Sequence, residues 1–161
     1  MDHPVTAAIR VLRQHDVAFE PHQFEYVEKG GTTHSSAALG VAEHAVIKTL
    51  IMQDADKKPL CVLMHGDCQV STKALARHLG TKSISPCQPD VAEKHSGYQV
   101  GGTSPFGLRH PMPIYVEATI LSLPRIFING GKRGFLVAIA PDVLTRVLGA
   151  KPVTVAQPTK A

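Results

Sequence analysis

The chain has 161 residues, 43% hydrophobic and 19% charged, which suffices for one domain with a core of its own. Its formal net charge of +4 and sequence pI near 9.1 permit an anionic partner such as RNA or a nucleotide without identifying one. No apolar run approaches the ~20 residues of a membrane span, no basic-then-apolar leader follows Met1-Asp2-His3-Pro4, and the three cysteines Cys61, Cys68 and Cys87 form no C-x-x-C pair for a disulfide framework or zinc site. The absent span and leader predict a cytoplasmic protein with no membrane partner; no DNA partner is expected.

Pro4–Gln14 reads as a helix, with Val5, Ala8, Ile9 and Leu12 spaced along one face. Val17–Tyr26 reads as a strand and Gly30-Gly31 as a turn. Two short helical pieces, Ser35–Leu39 and Ala42–Ala45, flank Gly40. Val46–Gln53 and Pro59–His65 form a predicted hairpin across the polar turn Asp54–Lys58. A helix is predicted over Ser71–Leu79, with a hydroxyl cap at its start and Gly80 past its end. A strand at Lys82–Pro86 and a helix at Gln88–His95 lead to the glycine-rich passage Gly97–Gly107. Pro113–Glu117 and Arg125–Asn129 are strands around a helical turn at Thr119–Leu123. The turn Gly130–Gly134 leads to a strand at Phe135–Ala140 and a helix at Pro141–Leu148. Residues 1–155 then make the domain and 156–161 a frayed tail. Helices and strands mix without a βαβ rhythm, which predicts an α+β domain with a mixed, barrel-like sheet surrounded by helices.

Lys48, inside the apolar run V-I-K-T-L-I-M, needs an explanation because a charge is costly to take out of water. It is either a side chain snorkelling from a strand end or a cation at the floor of a pocket. The passage G-G-T-S-P-F-G, Gly101–Gly107, offers backbone N–H groups that a ligand can approach closely, in a loop stiffened by Pro105. It is not a serine-hydrolase elbow: that pattern is G-x-S-x-G, and a proline after Ser104 removes the N–H that builds an oxyanion hole. N-G-G-K-R-G, Asn129–Gly134, lacks the Walker spacing and reads as a hairpin turn with basic residues at its tip. His65, Asp67, Cys68 and His78 fit no metal-ligand spacing. No metal or cofactor is expected, and a metal hydrolase built on His65, Cys68 and His78 stands as a remote third reading.

Three pieces in order, V-I-K-T-L (46–50), S-G-Y-Q-V-G-G-T-S-P-F-G (96–107) and I-N-G-G-K-R-G (128–134), resemble the YbaK-type aminoacyl-tRNA deacylases, which are similar to the editing domain of bacterial prolyl-tRNA synthetase. The resemblance covers nearly the whole chain. It implies hydrolysis in trans of the ester joining a wrong amino acid to tRNA, with Cys-tRNA(Pro) or another small amino acid as substrate. It places Lys48 and Gly101 at the reacting centre, and Phe24, Thr49, Gly102, Thr103, Ser104, Pro105, Asn129 and Gly130 around the substrate. Arg109, Lys132 and Arg133 become candidates for tRNA phosphates. Mischarged tRNA is the implied partner, and prolyl-tRNA synthetase a further one. The chain departs from the cysteine-specific pattern in four places: Phe24 stands for a tyrosine, Asn129 for a serine, Leu136 for an aspartate, and Gly30-Gly31 where an aromatic residue falls. The amino acid removed is therefore left open.

The implied mechanism needs no protein nucleophile, because the ester is already activated. Lys48 would hold a phosphate or hydroxyl of the terminal adenosine, and the N–H groups of Gly101–Ser104 the ester carbonyl or aminoacyl group. An ordered water, or the thiol of a cysteinyl substrate, would attack. The alternative is a non-catalytic module that binds aminoacyl-tRNA, a nucleotide or a synthetase on the same scaffold.

Overall fold

The computed structural model describes residues 2–159; Met1, Lys160 and Ala161, which fall at the ends of the expected domain and tail, lie outside the described residues. Helix α1 spans Ala7–Gln14. It starts later than Pro4 suggested because the Thr6 hydroxyl accepts from Ile9 N at 3.1 Å and makes Thr6 the N-cap. Strand β1 (Glu20–Gln23) is shorter than Val17–Tyr26. Helix α2 (Gly31–Leu39) begins at a glycine expected in a turn and ends on Gly40 at φ 68°, before a single 3-10 turn at Glu43–Ala45.

Strands β2 (Val46–Asp54) and β3 (Pro59–His65) form the expected hairpin, paired from Ile47↔His65 to Gln53↔Pro59. A short strand unforeseen from the sequence, β4 (Cys68–Val70), follows. Helix α3 (Thr72–Leu79) has Ser71 accepting from Ala74 N at its start and Gly80 at φ 72° beyond its end, as the capping residues required. Then come β5 (Ile84–Pro86), α4 (Pro89–Ser96), β6 (Ile114–Glu117), a 3-10 turn at Ala118–Ser122, β7 (Ile126–Lys132), β8 (Phe135–Ile139), the short α5 (Val143–Arg146), β9 (Lys151–Val153) and β10 (Ala156–Pro158).

Two expectations are corrected. The glycines of Gly130–Gly134 do not end β7, which runs on to Lys132 through a bulge between Asn129 and Lys132. The segment after Val155 is not frayed: β10 pairs antiparallel with β4, Gln157 opposite Gln69.

The main sheet is mixed, with order β1-β8-β7-β2-β3-β6-β9, and β5 added to β2. One edge of β2 serves two neighbours: β7 runs parallel along Val46 and Ile47, and β5 runs antiparallel along Met52–Asp54. The sheet forks between them, at Lys48–Ile51. Strand alternation sends Ile47, Ile51, Ile126, Ile128, Val137 and Leu63 into one core, closed by α1, Phe106 and Leu144. The opposite face carries two separate apolar clusters. Val46, Phe127, Leu136 and Ala138 pack with Phe24 and Leu39. Met52, Leu60, Val62 and Met64 pack with Leu75 and Ala76 of α3.

Candidate active site on the forked face of the sheet

Lys48 lies on that second face, between Val46 of one cluster and Met52 of the other. It is half-buried, and its ammonium donates to the carbonyl of Cys68. Burial pulls its pKa below the ordinary lysine value; Cys68, Glu43 and Asp67 pull it back up. The turn that supplies this carbonyl is built tightly. A side chain on Gly66 would start 2.7 Å from the Glu43 carbonyl and 2.8 Å from Thr32, so only glycine fits. The Thr32 hydroxyl lies 2.7 Å from Glu43 Oε2 and 3.1 Å from Gly66 O. The C-terminal ribbon continues the brace: Thr159 N donates to Asp67 O, and Glu117 Oε1 accepts from Val155 N and Ala156 N.

Asn129 is the residue after the last β2–β7 pair, Ile47↔Ile128, as Lys48 is on the other strand. It shares Lys48's face, opposite Leu136 of β8. Its Oδ1 accepts from Gly131 N at 2.7 Å and Lys132 N at 3.1 Å, which shapes the bulge. Its Nδ2 donates to Gly101 O at 3.1 Å. One side chain thus ties the glycine loop to the sheet beside Lys48. Arg133 adds a second tie, donating from Nε to Val100 O at 2.8 Å with its guanidinium 4.9 Å over the Tyr26 ring.

The loop itself is closely seated. Gly101 has φ 92°, and a Cβ there would meet Tyr26 Oη at 2.8 Å; a Cβ on Gly102 would meet Arg133 N at 2.7 Å. Gly102 N donates to Gln99 O, so that N–H is not available to a ligand, contrary to the expectation for Gly101–Ser104 as a group. Among the described residues, Gly101, Thr103 and Ser104 N–H have no acceptor in the chain. Ser104 is buried, and its hydroxyl accepts from Phe106 N. Pro105 is buried and Thr103 half-buried. Gly130 leaves no space for a side chain against Phe135, 2.5 Å from its Cβ position.

Other expected residues are placed differently. Thr49 points to the opposite face, with Ile47 and Ile51; its buried hydroxyl has no partner among the described residues, so the structure does not bring it to Lys48. Phe24 packs in the apolar cluster with Leu136. Tyr26, just past the end of β1, is the aromatic residue that touches the loop. Arg109 is exposed beside Gly97 at the end of α4, and Lys132 is exposed on the bulge. Arg133 is committed to Tyr26 and Val100. The Gly66–Cys68 turn was missed; its signal is the glycine-aspartate pair directly after an apolar strand.

The metal set His65, Cys68 and His78 is not assembled. His65 is buried, its Nδ1 at 2.7 Å from His44 O and its Nε2 at 2.7 Å from the Thr119 hydroxyl. His44, Asp67 and Cys68 do converge, with ligand atoms within 4.8 Å of one another, but His44 and Asp67 are exposed and already bonded to each other at 2.8 Å.

Residues 31–147 match the family described as the aminoacyl-tRNA editing domain. A protein of Enterococcus faecalis, EbsC, whose name proposes it as a Cys-tRNA(Pro)/Cys-tRNA(Cys) deacylase, is 28% identical over 140 residues, covering 86% of this chain and 85% of EbsC. The proline–tRNA ligase of Streptococcus equi subsp. equi is 30% identical over 108 residues, which cover 66% of this chain and 17% of the ligase. Among solved structures, hypothetical protein APE2540 superposes with a TM-score of 0.86 at 21% identity, over 94% of this chain and all of that one. A crystal structure described as a proposed trans-editing enzyme for prolyl-tRNA synthetase gives 0.82 at 19% identity, over 96% and 99%. At such identities the superpositions establish the fold, a single α+β domain with a mixed sheet. Among the described residues no helix is long and apolar enough to cross a membrane. The match covers most of the chain and includes both Lys48 and the glycine loop: the chain belongs to the aminoacyl-tRNA editing domain family.

Proposed function

We propose that the protein hydrolyses the ester bond of mischarged aminoacyl-tRNA in trans, with a small amino acid on tRNA(Pro), cysteine first, as substrate. The observation that carries this is the pairing of Lys48 with a loop tied down beside it. Lys48 and Asn129 share one face of the sheet, and Asn129 holds the glycine loop through the Gly101 carbonyl. Membership of the editing-domain family supports the reaction class, and the EbsC likeness supports cysteine as the first amino acid to test.

The terminal adenosine of tRNA enters at the fork of β2. Lys48, held at the Cys68 carbonyl, turns its remaining N–H bonds to a phosphate or ribose hydroxyl. The N–H groups of Gly101, Thr103 and Ser104 point at the ester carbonyl as negative charge develops on its oxygen. One such donor is worth roughly 3–4 kcal/mol where it has been removed from other enzymes. Ser104 is not the nucleophile, being buried and bonded to Phe106 N. Water attacks with help from an adenosine hydroxyl, or the substrate thiol attacks when cysteine is esterified. The acyl–oxygen bond breaks, and the ribose oxygen leaves with a proton.

Purified protein incubated with Cys-, Ala- and Ser-tRNA(Pro) tests this. Accelerated loss of at least one amino acid over buffer is expected. Equal half-lives with and without protein for all three, together with measurable tRNA binding, would replace the enzyme by a binding module.

A further inference from the structure

A second feature of the same face has no part in the site above. Between α3 and residues 81–84 lies a hollow of about 370 Å³. Its rim carries three exposed cations, Lys73, Arg77 and Lys82, and the hydroxyls of Thr72, Thr81 and Ser83; no carboxylate lines it. None of the three cations takes part in an ion pair among the described residues. Lys73 and Arg77 stand four residues apart on one helix, where like charges repel. The first turn of α3 holds no acid to offset them. The nearest acid in the adjoining β2–β3 turn, Asp54, spends an oxygen on Asp56 N and Lys58 N, while Ala55 N touches Thr81. The positive charge is thus concentrated, with no ion-pair partner among the described residues.

The hollow and Lys48 are on the same side of the sheet. Leu75 and Ala76 of α3 share an apolar cluster with Met52, on Lys48's face. Ile84, at the hollow, pairs opposite Asp54, six residues along β2 from Lys48, or about 20 Å of strand. One nucleotide does not bridge that distance, whereas successive phosphates of a strand do. We propose that this hollow binds backbone phosphates of the single-stranded acceptor end of tRNA, the strand whose esterified terminus sits at Lys48. The proposal rests on the function given above and extends it to a tRNA contact away from Arg109, Lys132 and Arg133. Phosphate contacts of this kind set register and affinity and read no sequence.

The experiment measures binding of uncharged tRNA(Pro) by fluorescence anisotropy from 50 to 200 mM salt. It compares the full chain with Lys73→Gln/Arg77→Gln and with the pair plus Lys82→Gln. Arg10→Gln/Arg13→Gln, on exposed positions of α1 under the other face, removes the same net charge as the first pair. The hollow variants should bind at least tenfold more weakly at low salt, with a log–log salt slope shallower by about 0.7 for each phosphate no longer neutralised. Their loss in deacylation should appear in KM. Affinity and slope equal to those of the wild type, or losses no greater than in the α1 control, overturn the proposal. Binding is read on uncharged tRNA, so an absence of hydrolysis sinks the enzyme reading and leaves this result to stand or fall by itself.

Discussion

Lys48 is a charge held at a cost to the fold. Its ammonium is partly desolvated, with its pKa lowered by burial against the pull of Cys68, Glu43 and Asp67. A lowered lysine pKa means that the unfolded chain binds the proton more readily. This penalty is therefore full at neutral pH and is relieved as pH rises from the folded value toward 10.5. Replacing Lys48 by Met removes the charge and keeps the length. Lys48→Met should melt within about 1 kcal/mol of the wild type, while hydrolysis falls by roughly 100-fold or more; calorimetry and a deacylation assay check both halves. Asn129 offers a sharper substitution. Asn129→Asp retains the oxygen that accepts from Gly131 and Lys132 but sets a second oxygen against the Gly101 carbonyl. Hydrolysis should drop about tenfold, and amide exchange at Val100–Thr103 should speed up with little change across β2. Unchanged exchange there would mean that the Asn129–Gly101 bond does not hold the loop.

At the level of elements, the glycine loop and the C-terminal ribbon are the parts that fix the site. Gly102→Ala would place a methyl 2.7 Å from Arg133 N; backbone cannot yield as a side-chain tip does, so about 1–3 kcal/mol of stability should go, read by denaturant melts, together with activity. The elements legible in the sequence were those with local punctuation: α3 between Ser71 and Gly80, and the β2–β3 hairpin around Asp54–Lys58. Lys48 was conspicuous because an apolar strand surrounds it. The partner of Lys48 was not legible. Cys68 lies in a three-residue strand that exists because β10 pairs with it, and a pairing between residues so far apart leaves no local periodicity. Tyr26 lies beyond the end of β1 at Gln23, and its place at the loop comes from its contact with Gly101 and from the Arg133 guanidinium over its ring, meetings across the chain that leave no local signal. Gly130–Gly134 looked like a turn because two glycines weaken a strand; Asn129's side chain supplies the bonds that carry β7 through its bulge.

Across the whole molecule, buried polar groups brace the sheet between its end strands and the site. Glu117 is buried. Burial raises its pKa, but bonds from Val155 N, Thr119 and Ala156 N more than offset this and leave the carboxyl below its usual value of 4.5. A depressed carboxyl contributes stability that is fully present above 4.5 and is lost as pH falls through the folded value. The melting temperature should therefore decline on acidification below 4.5, and Glu117→Gln should show a shallower decline from a lower starting point. Equal slopes in the two proteins would assign acid sensitivity elsewhere. The same carboxylate anchors the start of β10, whose far end reaches the Asp67 carbonyl through Thr159. A probe attached at Thr159 itself consequently sits against the turn that restrains the Lys48 ammonium. A dye or affinity handle placed there would act as an obstacle or as a reporter of tRNA docking.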